Sequence, residues 1–455
     1  MLSAASMADI AGTFRQGRRG KGVFASVVQT LGANILIQGV NVGTGVITAR
    51  ILAPHGRGDF TAMSMWPGFL SVLFSMGLQT SLIYQLKQGA GRIDDFIGTA
   101  LALGFIGGTL AMITGIIGIP YWLHSYSPEV IKFARLAMLL APVTLVGAIL
   151  STSAQAAQNF GRFNTFRAFP PLLILSMLLI LAIAHKLTPL STAVIYLLAP
   201  LPIYFWNGIW AFRRFNIRFN NVAKYTPMLL GYGVRIWGMD LVGALSDQVD
   251  RVLVIGFLTP SDLGLYVVAL SAARVFSIIP AALSLVVSPK IVLLGTKEGA
   301  PLVVRVARTA FVVMCAGAIP LGIFAPEAVK LVYGVKFAAS TPVFRVLLAE
   351  AVIGGFTWLL AQGFAFLGKP GRATIQQITG LSTSIPLLLF LVPRFGIDGA
   401  CYAILASTTL RAIFAIVSYR SLFGENLSHF TPRFSDLQWI VSQITSPKAK
   451  GGAMG

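Results

Sequence analysis

Charge is sparse in this chain of 455 residues: Asp, Glu, Lys and Arg together make up 11% of it. A soluble globular protein carries roughly 25%. A thick soluble core would still need a charged surface, so the shortfall excludes a water-soluble globule and makes lipid the solvent for much of the exterior. Cysteine is scarcer still. The two present, Cys315 and Cys401, lie within apolar runs and read as small buried hydrophobes, not as a disulfide or a metal pair. No cluster of His, Cys, Asp and Glu has metal-ligand spacing, and no P-loop, nucleophile elbow or HExxH motif occurs. The residues therefore offer no catalytic constellation, no metal site and no cofactor site, and the expectation is that the chain is not an enzyme.

Apolar sequence is what it has instead: 56% of the residues are hydrophobic and the mean hydropathy is +0.78. A helix needs about 20 predominantly apolar residues to cross the hydrocarbon core. Twelve such stretches occur, near 24–49, 60–84, 96–120, 132–155, 166–186, 190–212, 228–257, 263–288, 303–325, 343–367, 373–393 and 398–420. The apolar stretch after Arg15, Arg18, Arg19 and Lys21 is too long for a signal-peptide core, so the N-terminus is expected to be retained.

Base outnumbers acid, thirty-five residues to fifteen, for a net charge of +20. No basic helix with interleaved aromatics accompanies that excess, which argues against nucleic acid. Instead the charges fall in short clusters between the spans, where they orient a membrane protein. With the N-terminus cytoplasmic, the inside segments hold Arg15 to Lys21, Lys87/Arg92, Arg162/Arg167, Arg213/Arg214/Arg218/Lys224, Lys290/Lys297/Arg305 and Lys369/Arg372. The outside loops hold only Arg50/Arg57, Lys186, Lys330/Lys336 and Arg394. Both termini are thus expected inside. In the tail, Ser435 with Gln438 makes a capping-box start, and Leu437, Ile440, Val441 and Ile444 share a face. That reads as a short amphipathic helix on the cytoplasmic leaflet or as a disordered tail.

The two halves repeat each other. Leu52-Ala-Pro54 and Gly58-Asp-Phe60 recur 206 residues later as Leu258-Thr-Pro260 and Gly264-Leu-Tyr266. At an offset of 210, the span that opens on Arg135 and ends on Gly161-Arg162 recurs as the one from Arg345 to Gly371-Arg372. Six spans per repeat give both halves the same orientation, and such parallel repeats are related by an axis along the membrane normal. The expected fold is all-α and integral to the membrane, about twelve transmembrane helices in two six-helix lobes around a central cavity. The expected domains are a basic segment 1–22, an N-terminal lobe 23–212, a cytoplasmic linker 213–227, a C-terminal lobe 228–422 and a tail 423–455.

Polar residues inside the spans are the candidate site, because lipid cannot solvate them. Asn34, Gln38, Asn41 and Thr48 share one arc of the first span, and adding 206 to Asn34 and Asn41 gives Asp240 and Asp247 of the seventh. Asp247 and Arg251 are spaced as an i,i+4 ion pair, compatible with a charged cavity wall that meets substrate. Arg235, Arg251, Arg274 and Arg411 lie within or at the edge of apolar spans. A guanidinium stays charged and offers a planar donor fork suited to phosphate, so several of them suggest an anionic substrate. Snorkelling accounts equally for Arg235, Arg411 and Arg50 near span ends, and least well for Arg274. Asp240, Asp247 and Glu350 are the candidates for a coupling proton or cation. For Glu350, pairing with Arg345 or Thr357 of its own helix is the competing reading.

Four segments carry a resemblance to a known family. They are Ala49-Arg-Ile-Leu-Ala-Pro-His-Gly-Arg-Gly-Asp-Phe60; Asp250-Arg-Val-Leu-Val-Ile-Gly256 with Gly264-Leu-Tyr266; Leu331-Val-Tyr-Gly-Val-Lys-Phe337; and Gly368-Lys-Pro370 with Phe395-Gly-Ile-Asp-Gly-Ala400. In this pattern, spread over nearly the whole chain, the sequence resembles the polysaccharide flippases of the multidrug/oligosaccharidyl-lipid/polysaccharide exporter superfamily. The resemblance implies a polyprenyl-diphosphate-linked glycan, an O-antigen or exopolysaccharide repeat unit, moved from the cytoplasmic to the outer leaflet of a bacterial inner membrane. Membrane lipids surround such a chain, and polysaccharide polymerase and export proteins are candidate partners. A cation-coupled multidrug antiporter and a lipid II-type flippase of the same superfamily are the alternatives; an acidic, aromatic-lined cavity would favour the first, and more spans the second.

Overall fold

The computed structural model describes residues 20–88, 92–156 and 159–431, and every regular element among them is helical. The basic residues Arg15, Arg18 and Arg19 and the expected tail helix around Leu437 and Ile444 lie outside the described residues. Two compact units emerge. The first runs to Ile51 and takes in Phe60–Tyr121 and Ser127–Asp240. The second holds Leu52–Asp59, Trp122–Tyr126 and the chain from Leu241 on.

The first helix, α1, covers Gly20–Ser64 and breaks at Ala53, where φ is 59° and ψ 177°. Pro54 follows, and its ring disfavours helical geometry in the residue before it while tolerating the first position of a new helix. The expected outer loop at 50–59 is therefore largely a second helical limb. Short helices α2 (Trp66–Leu73) and α3 (Leu78–Gln88) share the next expected span, parted by a turn in which Met76 and Gly77 take positive φ. Then come α4 (Ile93–Trp122) and α5 (Pro128–Ala137), the latter capped by Ser127, whose hydroxyl accepts from the Val130 N–H at 3.4 Å. A 3-10 turn, Met138–Leu140, joins α5 to α6 (Ala141–Ala156). Helix α7 (Phe160–Ile183) is followed by α8 (Pro189–Leu198), which a Thr188/Ser191 capping box opens. Pro200 and Pro202 bring two residues without N–H donors, and the chain re-forms as α9 (Leu201–Phe215). Helix α10 (Val222–Phe257) runs on across the boundary between the units.

In the second unit α11 (Pro260–Ala273) starts on a Thr259 cap, and a 3-10 turn at Arg274–Ser277 leads into α12 (Ile278–Ile323). Helix α13 (Ala325–Tyr333) and a 3-10 turn at Val335–Ser340 occupy what the sequence suggested was a loop. Two long helices, α14 (Thr341–Phe366) and α15 (Pro370–Phe423), complete the unit before a last 3-10 turn, Leu427–His429. Both α12 and α15 bend at a residue with positive φ, Gly295 at 67° and Gly396 at 56°. Glycine enters that region without the Cβ clash other residues meet. The Gly396 bend divides α15 between the two spans expected at 373–393 and 398–420.

Nine stretches of the described residues are long and apolar enough to cross a membrane. Pro370–Phe423 covers two expected spans, Leu36–Leu73 overlaps part of two, and α10 carries a further one. Each of the twelve expected spans thus overlaps helix, with that of 60–84 interrupted at Met76 and Gly77. Large apolar side chains stand exposed along them, Phe105, Ile113 and Ile117 on α4 and Ile180 and Ile183 on α7 among others. Only lipid makes that arrangement inexpensive. Between helices lipid offers no hydrophobic drive, so close packing and hydrogen bonds hold the bundle. Gly104 and Gly108 of α4 let it approach α6, where an added Cβ would overlap Ile149 and Pro142.

In the second unit the buried Tyr419 hydroxyl donates to the Leu360 carbonyl at 3.0 Å, with Phe364 and Phe423 packed around the ring. Tyr419→Phe keeps the packing and removes that bond. The expected loss is about 1 kcal/mol, read as a small fall in Tm of the detergent-purified protein.

Candidate functional site

Two expected site residues come together in the second unit. Glu350 on α14 accepts a hydrogen bond from the Thr408 hydroxyl at 2.8 Å, and Thr408 in turn accepts from Arg411 Nη2 at 2.8 Å. Thr408 is fully buried and lies on the limb of α15 beyond the Gly396 bend. The Arg411 stem packs on Gly380 of the earlier limb, and the Ser407 hydroxyl donates to the Gly380 carbonyl at 2.8 Å, tying the two limbs together. An acid and a base are thereby linked through one hydroxyl between two membrane helices. The partners weighed for Glu350 on its own helix are engaged elsewhere: Arg345 Nε donates to the Gly322 carbonyl at 2.9 Å, and the Thr357 hydroxyl to that of Ile353 at 2.7 Å. Arg411 Nε is buried without a hydrogen-bond partner among the described residues.

Arg274 sits in the 3-10 turn between α11 and α12, exposed, with the Ser277 hydroxyl donating to its carbonyl at 2.7 Å. A 3-10 turn inside a stretch that otherwise qualifies as a span, Pro260–Ser284, breaks the regular ladder where the cation stands. Among the described residues no carboxylate pairs with it. Asn34 is half-buried on α1, with Gln38 and Asn41 exposed along the same helix. Arg50 is exposed on the turn before the Ala53 break. Arg235, Asp240, Asp247 and Arg251 lie on α10, and their side chains are outside the described residues.

The repeat motif has a structural counterpart the sequence reading did not supply. Pro54 opens the second limb of α1 and Pro260 opens α11. A Cβ on Gly58 would overlap the Pro260 carbonyl, and one on Gly264 would overlap the Pro54 carbonyl. The two copies of the motif therefore dock reciprocally inside the second unit. Around them His55 Nδ1 lies 3.0 Å from Asp59 Oδ2, and the Thr259 hydroxyl donates to Asp262 at 2.8 Å. Burial pushes the Tyr126 hydroxyl far above its ordinary pKa, and the carboxylates of Asp59 and Asp262 push the same way. Burial likewise raises Tyr333, with the Arg57 guanidinium pulling it partly back. Both phenols stay neutral at physiological pH. Among the described residues no three His, Cys, Asp or Glu side chains converge as metal ligands would.

Also unforeseen is a cluster on α7 and α9, where Arg162 faces Phe166, Trp206 and Trp210. Arg162 was read only as a charge between spans. The spacing Trp206, Trp210, Arg213, at i, i+4 and i+7 of one helix, was the available signal.

These helices, bent at Gly and Pro and carrying ionisable groups between apolar faces, define a polytopic membrane protein. The family model described as "Polysaccharide biosynthesis protein" matches residues 47–342, and the chain belongs to that family. Among curated proteins it is similar to a probable flippase, AglR, of Haloferax volcanii, 26% identical over 222 residues. That match takes in 46% of this chain and 45% of the relative, so the chain spans less than half the length of the curated relative it matches. Among solved structures it is similar to the lipid II flippase MurJ in an inward closed conformation, with a TM-score of 0.74, 13% identity, and 93% of this chain and 94% of that one covered. An inward-facing multidrug resistance transporter of the MATE family aligns with a TM-score of 0.67 and 14% identity over 88% of this chain and 98% of its own. At those identities the likeness is one of fold.

Proposed function

We propose that the protein is a flippase that carries a polyprenyl-diphosphate-linked oligosaccharide from the cytoplasmic to the outer leaflet by alternating access. Arg274 carries this reading: a permanent cation at a break in a membrane-spanning stretch, with no carboxylate partner among the described residues. Leaving such a group in the bilayer costs at least about 2.5–3.5 kcal/mol on insertion scales. A diphosphate passing the helix would offset that cost, whereas a cationic drug would add to it. Membership of a polysaccharide biosynthesis family and similarity to a probable flippase support the same reading. In it both termini lie in the cytoplasm, the membrane is the bacterial inner membrane, two six-helix lobes alternate access to a central cavity, and polymerase and export proteins take the product onward.

The test replaces Arg274 and Arg251 separately by Ala and by Lys, confirms insertion, and measures lipid-linked glycan reaching the outer leaflet. Loss with Ala and partial recovery with Lys is the expected result. Full activity in all four variants would reject the arginine-bound diphosphate. A lipid II-type flippase is the second reading, favoured by the fold shared with MurJ. It requires that lipid II be moved at least as well as an oligosaccharide repeat unit by the same reconstituted protein.

A further inference from the structure

In the first unit the start of α7 and the end of α9 bring three arginines together. Asn159 caps α7, its side-chain oxygen accepting from the Arg162 N–H at 3.1 Å, which fixes the base of the Arg162 side chain. The guanidinium carbon then lies 4.6 Å from the centre of the Trp210 ring, 5.4 Å from Trp206 and 5.2 Å from Phe166. Phe166 and Trp206 themselves meet edge to face at 6.2 Å. Arg213 and Arg214 follow one turn later on α9, and with Ile209 these arginines and tryptophans wall a cleft of about 420 Å³. Among the described residues none of the three cations has a carboxylate partner, and Arg162 Nε is buried with no hydrogen bond. Three positive charges are thus gathered and left uncompensated. On the same helix Phe205 is 73% exposed, and Trp206 and Phe212 stand about half exposed.

The fold itself does not need this cage. Carried 210 residues on, Arg162 becomes Arg372 and the base is kept, but Phe166, Trp206 and Trp210 become Gln376, Ile416 and Arg420. The corresponding positions of the second half thus carry no aromatic ring. Tryptophan and arginine together at the end of a membrane-spanning helix place the cleft at the boundary between hydrocarbon and water. Basic pockets at that depth hold lipid headgroups.

We infer that this cleft binds the phosphate of a lipid with net negative charge: Arg162, held against its aromatic neighbours, and Arg213 and Arg214 take the phosphate oxygens, and the lipid chain lies along Phe205 and Phe212. Phosphatidylcholine, whose ammonium group neutralises its own phosphate, gains little from three cations. A guanidinium fork matches two phosphate oxygens, which makes arginine the fitting base here. Two lipids present that chemistry, an anionic phospholipid such as phosphatidylglycerol and a polyprenyl diphosphate. The inference does not depend on which substrate the protein moves.

Native mass spectrometry of the full-length protein tests it, with phosphatidylglycerol, polyprenyl diphosphate, phosphatidylcholine or inorganic phosphate added in separate series. Replacing Arg162, Arg213 and Arg214 together by Gln is expected to weaken the preferred anionic lipid about tenfold or more and to leave phosphatidylcholine unaffected. Preference for phosphatidylglycerol makes the cleft a site for bulk lipid; preference for polyprenyl diphosphate makes it a dock for the carrier; either supports the inference. Should the triple variant fold poorly, Arg162→Lys and Trp210→Leu serve instead, each expected to weaken the anionic lipid by a smaller factor. Arg167→Gln, on the same helix but outside the cleft, is expected to change nothing. Unchanged anionic-lipid binding in the arginine variants would overturn the inference. So would a loss shared equally by phosphatidylcholine, or inorganic phosphate bound as tightly as either lipid. Because the readout is binding without transport, failure here and failure of the flippase reading are separable.

Discussion

Replacing Gly58 by Ala should destabilise the protein by about 1–3 kcal/mol, the usual cost of forcing one extra carbon into a closed contact. The new Cβ would occupy the space of the Pro260 carbonyl. A carbonyl at the start of a helix cannot swing aside as a flexible side chain would, so the two helical limbs must separate. Gly264→Ala should cost a similar amount, because it meets the Pro54 carbonyl in the mirror contact. The double variant should cost clearly less than the sum. Once one alanine has pushed the limbs apart, the second enters a gap already opened, and groups that share a contact do not add. Gly68→Ala, with nothing within 4 Å of the added carbon, is the control and should leave Tm at or slightly above the parent value. Thermal unfolding of the purified protein reads all four. Additive losses would mean the two contacts are independent, and a Gly58→Ala protein as stable as the Gly68→Ala control would mean that they bear no strain at all.

Glu350 and Arg411 give the second large effect. Arg411→Ala removes the donor at one end of the chain that runs through Thr408 to Glu350. In a medium that cannot replace it, the expected cost is about 1–3 kcal/mol for the group left short of a partner, with transport reduced in step. Glu350→Gln separates two roles for the acid. The amide oxygen still accepts from Thr408, so a carboxylate that serves only as an acceptor should tolerate the change. We expect otherwise: with Glu350 exchanging a proton or cation, the Gln variant loses gradient-driven transport about tenfold, or roughly 1.4 kcal/mol of driving interaction, while Tm stays near the parent value. Transport in the Gln variant that still responds fully to the proton and sodium gradients would restrict Glu350 to a structural role. Transport by the unmodified protein that ignores the collapse of both gradients would end ion coupling altogether.

The positions of the spans were legible because length and apolarity are local properties, and lipid demands both. The breaks within them were not. In the stretch from Phe60 to Tyr84 only Gly77 marks the turn, and membrane helices carry glycine too freely for it to announce an end. Pro54 was visible and so was its repeat at Pro260, yet that the two motifs touch each other is a tertiary fact. The same limit applied to Glu350. Sequence spacing proposes partners on one helix, and its partner Thr408 stands 58 residues away on another. Arg162 was counted among the charges that orient the chain, and only the arrival of α9 beside α7 turned it toward two tryptophans.

The segment Leu52–Asp59 belongs by its contacts to the second unit although it is made with the first. It bears on the order of events at the ribosome. When Pro54 and Gly58 emerge, the residues they dock against are still two hundred codons from being translated. The first six spans must therefore be inserted and kept from aggregating with this elbow open, until α11 is threaded and closes it. A chain truncated before Pro260 would leave that seam unfilled, because both contacts it makes are with residues from Pro260 on.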